Sequence, residues 1–282
     1  MNKYEINKIL SKYFDKYQIS ELLQKQTGLS KSQLFLCSSL PLTNKQWIEK
    51  IIELWEKKYP FEYIIQKAEF YWLELYVDER VLIPRNDTEI IVDSAINKIN
   101  NCTSKITYLD IWTWSSCIPI AVLKNCNIQY IHQSYVVDIS SEVLEVSKRN
   151  IKAHLLTDTI QQLEWSLLEP AVSKLTNTDL VITANLPYIK ENDYKNMDKE
   201  TVQYEPDLAL YGWKDTGFEL YEILISQLIN IKKEKKIQNI ILFIEIWFDQ
   251  EKYSQEYLKK LWFTYNLHKD NWWIIRCIDI NI

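Results

Sequence analysis

The sequence predicts an α/β protein in which a mostly parallel sheet carries helices on both faces, preceded by a small helical domain. Two observations lead to this prediction. Residues 1–58 repeat apolar positions at the three-to-four spacing of helices. From about residue 85, strand-like apolar runs alternate with helical stretches, which is the order that produces parallel βαβ units.

The N-terminal region should be helical, with Ile6, Ile9 and Leu10 on one apolar face and Thr43 or Asn44 capping its last helix. Residues 60–84 alternate and are rich in aromatic side chains, which is typical of a hairpin. The predicted organisation is therefore a helical domain over 1–68, a hairpin linker over 69–84 and an α/β domain over 85–282.

The α/β domain should contain several strand and helix pairs, because its apolar runs are short and each is followed by a helical pattern or a turn. Strands are predicted over 105–111, 134–140, 178–188, 239–246 and 274–282, and helices over 116–124, 141–154 and 216–231.

Composition excludes several function classes. The net charge of −5 weighs against a nucleic acid as the main partner. No apolar run reaches the roughly 18 residues that span a bilayer, and the first residues lack the apolar core of a signal peptide, so we expect a cytoplasmic protein without a membrane partner. The five cysteines and three histidines lack metal-ligand spacing, which argues against a metal site.

The turn in "LDIWTWSSCIPI" (109–120) contains two tryptophans, which are unusual in a turn between a strand and a helix that could bind a ligand. A strand ending in Asp110 leads through this turn into a helix, the place where α/β sheets bind ligands. If Trp112 and Trp114 were glycine, the backbone of 112–116 would be free to approach a ligand and donate N–H groups to it. Tryptophan costs about 1–2 kcal/mol at a positive φ, and its indole fills the ligand's space. On these residues alone, two core tryptophans on an ordinary turn are an equally good interpretation.

Two further strand ends carry candidate site residues. Asp138 ends the next strand, where a carboxylate accepts both hydroxyls of a ribose or simply caps the following helix. "NLPY" (185–188) follows the apolar run "DLVITA". Its asparagine amide, the Leu186 carbonyl and the flat Tyr188 ring suit a planar amide or amino group, whereas an ordinary β-turn is the alternative.

Together these segments resemble class I S-adenosylmethionine-dependent methyltransferases, and most closely the protein-(glutamine-N5) methyltransferases that modify peptide chain release factors. The two most specific elements are "LIPRNDTE" (82–89), similar to the family's "LIPRPETE", and "YEPDLALYGWKDTGFELYEILI" (204–225). The other matches are "LDIWTWSSCIPIAV" to "LDLGTGSGCIAIAL", "VVDISSEVLEVSKRN" to "AVDISPEALEVARRN", "NLPYI" to "NPPYI", and "FIEIWFDQ" to "LEIGYDQ".

The resemblance implies a Rossmann-like, mostly parallel seven-stranded sheet and an N-terminal domain that binds the substrate. It implies methyl transfer from S-adenosyl-L-methionine to the side-chain amide N5 of the glutamine in the release factors' GGQ motif. Nucleic acid would take part only indirectly, through a ribosome-bound release factor. The implied catalytic set is Asn185, Leu186, Pro187 and Tyr188, and the implied cofactor-binding set is Asp110, Trp112, Thr113, Trp114, Ser115, Ser116, Asp138, Ser166, Leu167 and Asn185.

The roles implied are specific. Asn185 and the Leu186 carbonyl accept the amide N–H groups, and Tyr188 packs on the amide plane. The turn over 112–116 meets the methionine end of the cofactor, Asp138 its ribose, and the 166–167 segment its adenine. Leu186 replaces the family's first proline and Ser166 its usual aspartate, so rigidity and the adenine contact differ from the family pattern.

Tryptophan stands where the family has glycine. The chain has 3 glycines, where about 7% of residues is usual, and 11 tryptophans. Independent substitution would scatter over several residue types, so we hypothesise a decoding artefact: some bacterial lineages read the codon UGA as glycine, and another translation table gives tryptophan. The positions concerned are Trp72, Trp112, Trp114, Trp165, Trp213, Trp247, Trp262 and Trp273.

Two other functions stay open at the level of the sequence. The Asn-x-Pro-Tyr pattern suits the exocyclic amino group of a flipped adenine, which would make the protein a nucleic-acid adenine-N6 methyltransferase. If the tryptophans are real, the chain is an inactive binding relative.

Overall fold

The chain was analysed as a computed structural model, which describes residues 2–37, 40, 43–168, 171–190, 193, 203–206, 215–270 and 272–282. It divides into two compact units, Met1–Lys67 and Ala68–Ile282. No helix among these described residues is long and apolar enough to cross a membrane.

The first unit is helical, and its helices begin where capping residues predict. The side chains of Asn2, Asp15 and Ser30 each accept a hydrogen bond from the backbone N–H three residues later. The side chain of that later residue accepts the backbone N–H of the capping residue in turn. Asn44 caps the fourth helix, as expected. The helices are α1 (Lys3–Leu10), α2 (Lys16–Thr27), α3 (Lys31–Leu36), α4 (Lys45–Glu56) and α5 (Phe61–Ile65).

The second unit contains a seven-stranded sheet in the order β5-β4-β3-β6-β7-β9-β8. Strands β3 to β7 are parallel, β9 is antiparallel to β7, and β8 is antiparallel to β9. The expected α/β class is therefore confirmed. The strands are β3 (Ile106–Ile111), β4 (Ile131–Asp138), β5 (Ile160–Glu164), β6 (Asp179–Ala184), β7 (Ile240–Glu245), β8 (Thr264–Lys269) and β9 (Ile275–Asn281).

Helices cover both faces of this sheet because side chains alternate along each buried strand. On β3, Tyr108 belongs to one hydrophobic cluster, whereas Leu109 and Ile111 belong to the other. The first cluster includes residues of α6 and α7, and the second includes residues of α10 and α11. The helices of this unit are α6 (Glu89–Asn100), α7 (Cys117–Asn125), α8 (Ser141–Ala153), α9 (Ala171–Lys174), α10 (Glu219–Lys235) and α11 (Glu251–Lys260).

Strand β5 and helices α6 and α11 were not among the predicted elements, and two other regions differ from the sequence-based expectation. The hairpin is confined to β1 (Ala68–Phe70) and β2 (Leu73–Leu75), because Pro60 starts the helical turn α5. The C-terminal region forms an antiparallel pair, β8 and β9, where one closing strand was expected. Strand β8 was missed because its alternating polar residues resemble a surface loop.

Candidate active site

The carboxyl ends of β4, β3 and β6, which are neighbours in the sheet, bring the predicted site residues together. Asp110 lies in β3, Asp138 ends β4, and Asn185 directly follows β6. Two hydrogen bonds link the three ends: the Trp114 backbone N–H donates to Asp138 Oδ2 at 3.2 Å, and the Trp114 indole N–H donates to the Asn185 carbonyl at 3.0 Å.

The turn between β3 and α7 is held tightly by its surroundings. The N–H groups of Trp112 and Thr113 both donate to the Val137 carbonyl, at 2.8 and 3.1 Å. The Thr113 and Ser116 hydroxyls lie 3.0 Å apart, and the Asn150 amide donates to the Ser115 carbonyl at 2.9 Å. The backbone conformation of 112–116 is therefore imposed by neighbouring elements, so a bulky side chain there cannot relax it.

Both acidic residues of the site are buried. Burial raises the pKa of Asp110 to about 7, against the opposing hydrogen bond that the Thr183 hydroxyl donates to its carboxylate at 2.5 Å. Burial raises the pKa of Asp138 to about 6, and backbone N–H groups, including those of Ser140 and Trp114, oppose the shift. Asp110 therefore takes up a proton near pH 7, whereas Asp138, with a pKa of about 6, is mostly ionised there.

The indoles of Trp112 and Trp114 fill the space in front of this turn. They are 8% and 4% exposed, and their ring centroids lie 6.1 Å apart. The Trp112 indole N–H is buried and has no hydrogen-bond partner among the described residues. A buried donor without a partner costs about 1–3 kcal/mol. The turn as written therefore does not fit S-adenosylmethionine, because the side chains occupy the volume that a ligand of this turn needs.

Backbone angles separate the tryptophans into two groups. Five of the positions compared with family glycines have φ between 50° and 65°: Trp72, Trp112, Trp114, Trp262 and Trp273. Trp165 and Trp247 do not share this conformation, and Trp213 lies outside the described residues. The three tryptophans without a glycine counterpart, Trp47, Trp55 and Trp272, also lack it. Positive φ favours glycine, so the backbone independently selects five of the seven described tryptophans that stand at family glycine positions, and none of the three that do not.

The "NLPY" segment leaves acceptors available beside the turn. The Asn185 side chain is 6% exposed, and its amide has no hydrogen-bond partner among the described residues. Leu186 is buried and its N–H donates to the Tyr221 hydroxyl at 3.1 Å, which fixes the orientation of its peptide. Pro187 is also buried. A largely buried carboxamide at a strand end, with no hydrogen bond to another described residue, suits recognition of another polar group.

Tyr188 is held by its hydroxyl, which donates to Glu245 Oε1 at 2.6 Å. Its ring lies 5.8 Å from the Trp247 ring at an interplanar angle of 31°, and the Arg276 guanidinium lies 5.5 Å from the Trp247 ring centre. The Trp247 indole thus covers part of the aromatic surface predicted to pack on the substrate amide. Burial and the neighbouring Glu245 raise the pKa of Tyr188 well above its ordinary value.

Ser166 and Leu167, predicted to lie near the adenine, follow β5 at the same edge of the sheet. Ser166 is exposed, and Leu167 is buried with φ of 58°. The Trp165 N–H, just before them, donates to the Asp138 carbonyl at 2.7 Å. The segment is thereby attached to the end of β4.

Three residues around Tyr188 received no role from the sequence: Tyr221, Glu245 and Gln250. Glu245 and Gln250 belong to "FIEIWFDQ", which resembles a family element, so that likeness was the available signal. Their contacts with Tyr188 join positions far apart in the chain. Among the described residues, no group of three or more histidine, cysteine or acidic side chains is arranged to hold a metal ion.

Comparison with known proteins identifies the family. No protein-family model matches the chain. The chain is 30% identical over 283 residues to the release factor glutamine methyltransferase of Mycoplasma mycoides subsp. mycoides SC, covering 96% of this chain and 94% of that protein. It is 34% identical over 222 residues to the enzyme of that name from Dictyoglomus turgidum, covering 77% and 74%.

The fold has solved counterparts among methyltransferases. The hMettl16 catalytic domain, in complex with MAT2A 3'UTR hairpin 1, has a TM-score of 0.58 at 13% identity, covering 98% of this chain and 90% of that chain. At this identity the likeness concerns the fold alone, and it confirms the class I methyltransferase architecture. The curated relatives establish more than architecture, and the chain belongs to the family of release factor glutamine methyltransferases.

Proposed function

We propose that the natural form of this chain, with glycine at 112 and 114, transfers a methyl group from S-adenosylmethionine to N5 of the glutamine in the GGQ motif of peptide chain release factors. The observation that carries the proposal is the largely buried Asn185 side chain, which directly follows β6 and lies beside the turn that leads into α7. Family membership supplies the substrate class. A cytoplasmic location is the prediction that goes with this substrate.

The chemistry required of the chain is mainly positioning. An amide nitrogen is a poor nucleophile because its lone pair is delocalised into the carbonyl, whereas a sulfonium cofactor supplies an activated methyl group when it is bound. The Asn185 side chain and the Leu186 carbonyl would accept the two N–H groups of the substrate amide and hold its nitrogen in one direction. Good orientation supplies several kcal/mol of barrier reduction, up to roughly 7–11.

Tyr188 would orient the amide without exchanging a proton. Its hydroxyl already donates to Glu245, and its raised pKa keeps the phenol protonated at neutral pH. Since the amide proton can leave after methyl transfer, a strong base is not required before it. A flat ring against the amide plane limits rotation of the substrate side chain.

The proposal is tested with two forms of the chain, one as written and one carrying Trp112→Gly, Trp114→Gly and Trp247→Gly, because the Trp247 indole covers part of the Tyr188 ring. Binding of S-adenosylhomocysteine is measured by calorimetry, and methyl transfer from tritiated S-adenosylmethionine is measured on release factor, RNA and DNA. We expect the glycine form to bind and to label release factor, and the chain as written to bind at least 100-fold more weakly, which is about 2.7 kcal/mol.

Three outcomes would contradict the proposal. Label only in nucleic acid would favour the adenine-N6 reaction. Equal binding by both forms would show that the indoles do not obstruct the cofactor. Mass spectra of the native protein with tryptophan in the peptide containing 112 and 114 would exclude the decoding hypothesis.

A further inference from the structure

The end of β7 and the residues directly after it hold both the hydroxyl and the backbone carbonyl of Tyr188. Glu245 Oε1 accepts the Tyr188 hydroxyl at 2.6 Å, and Gln250 Nε2 donates to the Tyr188 carbonyl at 3.0 Å. Glu245 is 3% exposed and Gln250 1% exposed. We propose that these two residues are positioning residues that fix Tyr188 against the methyl-accepting amide, an inference that rests on the proposed function.

Of the two positions, Gln250 should tolerate fewer replacements, because its carboxamide bonds three backbone groups. Its Nε2 also donates to the Thr216 carbonyl at 2.9 Å, and its Oε1 accepts the Trp247 N–H at 2.9 Å. One carboxamide thus joins three backbone segments: the active-site turn, the start of α10 and the end of β7. A glutamate of the same shape would keep the acceptor but turn a carboxylate oxygen toward two carbonyl oxygens, which repel it.

The backbone at Gly217 packs closely against Tyr188 and Gln250. Gly217 has φ of 69°, and a Cβ added there would lie 2.2 Å from the Tyr188 carbonyl oxygen and 2.8 Å from Gln250 Nε2. Glycine is therefore required at 217 both for its backbone angle and for this close approach. Gly217 therefore leaves little free space around the Tyr188 carbonyl and the Gln250 amide, so we expect a shift of Gln250 to displace the Tyr188 backbone.

A second connection reaches the residue on the other side of Pro187. The Tyr221 hydroxyl donates to the Glu245 carbonyl at 2.6 Å and accepts the Leu186 N–H at 3.1 Å. Leu186 and Tyr188 are thus both anchored to the end of β7 through buried hydrogen bonds. Buried networks of this kind favour one geometry, although Glu245 Oε2 is buried without a hydrogen-bond partner among the described residues.

The experiment uses the form with Trp112→Gly, Trp114→Gly and Trp247→Gly as parent. Into it are introduced Gln250→Glu, Glu245→Gln, Tyr188→Phe and the combination of the last two. Gln255→Glu is the matched control, because it makes the same change on α11 without a contact to Tyr188. The readouts are kcat, KM for release factor, the Kd of S-adenosylhomocysteine and the thermal unfolding midpoint.

We expect Gln250→Glu to lower kcat at least tenfold, with the Kd of S-adenosylhomocysteine changed less than twofold. Gln255→Glu should leave kcat unchanged. Glu245→Gln should lower kcat several-fold when Tyr188 is present and have no further effect beside Tyr188→Phe, because it acts through that hydroxyl. The proposal would be overturned if Glu245→Gln lowered kcat by the same factor with Tyr188 present and with Tyr188→Phe. So would a kcat within twofold of the parent for Gln250→Glu, or a parallel loss of kcat, cofactor affinity and unfolding midpoint.

The two proposals fail separately. A parent that binds S-adenosylhomocysteine and methylates no release factor refutes the proposed function. The anchoring is then judged by unfolding midpoints of the chain as written. Non-additive midpoint changes for Glu245→Gln and Tyr188→Phe support the contact between them, and additive changes refute it.

Discussion

Replacing Trp262 with glycine is expected to stabilise the protein. Trp262 follows the end of α11 with φ of 61°. Its N–H donates to the Lys259 carbonyl at 3.1 Å, and the Phe263 N–H donates to the Leu258 carbonyl at 3.2 Å. These two bonds form the Schellman arrangement, in which the left-handed residue is usually glycine.

The size of the effect follows from exposure and backbone strain. The Trp262 side chain is 92% exposed, so its removal forfeits little apolar burial. Removing its Cβ relieves about 1–2 kcal/mol of left-handed strain. The extra freedom of glycine in the unfolded chain costs about 0.5–1 kcal/mol. The net gain is about 0–1.5 kcal/mol, with a centre of about 0.75 kcal/mol, or roughly 1.5–3 °C in Tm at that centre for a chain of this size.

Two control variants separate the effect of the left-handed backbone angle at Trp262 from the effect of losing an indole. Trp262→Ala removes the indole but keeps the Cβ, so it should give no gain. Trp272→Gly changes a tryptophan that is 80% exposed and lacks a positive φ, so it should lose about 0.5–1 kcal/mol. Thermal and urea unfolding, followed by circular dichroism, compare the variants. A Trp262→Gly protein no more stable than Trp272→Gly would refute the reasoning.

Two further predictions concern the site. In the glycine form, Asn185→Ala should lower kcat about 10²–10³-fold, as for the loss of one transition-state contact, with little change in the affinity for S-adenosylhomocysteine. Asp138→Ala should instead weaken that affinity about tenfold or more. Initial rates and calorimetry measure the two effects, and near-normal turnover of Asn185→Ala would contradict the assignment of Asn185 as the amide acceptor. In the chain as written, the folded-state pKa of Asp110, about 7, exceeds the roughly 3.9 of an unfolded aspartate, so its contribution to stability is full below about pH 4 and is lost as pH rises through 7. Relative to Asp110→Asn, the unfolding free energy should fall by up to about 4 kcal/mol over that range, measured by urea unfolding at several pH values, and parallel pH profiles of the two proteins would contradict the raised pKa.

The parts of the fold that depend on local pattern could be predicted from the sequence. The buried strand "KITYLDI" and the cap at Asn44 depend on periodicity and on one side chain, both visible in a short window. The edge at which Asp110, Asp138 and Asn185 meet followed from the rule that parallel strands end on the same side. By contrast, strand β8 has an alternating polar pattern that only its pairing with β9 explains.

The anchoring of Tyr188 could not be predicted, because it depends on contacts between distant positions. Glu245 lies 57 residues from Tyr188 and Gln250 lies 62 residues away. The local sequence around Gln250 gives no indication that its amide will bond three backbone segments. Likewise, the close approach of Gly217 to the Tyr188 carbonyl is a property of the assembled sheet.

Energetics distinguish the two explanations of the tryptophans. Five left-handed tryptophans cost about 5–10 kcal/mol in total, which approaches the 5–15 kcal/mol stability of a typical domain. A decaying, inactive relative has no reason to concentrate such strain on turns that the family builds from glycine, nor to keep Asn185, Tyr188 and Glu245 at the positions where the family has them. Strain at five positions where the family has glycine follows directly if those codons are read as glycine, because that one change removes the strain of these tryptophans and opens the turn at 112–116.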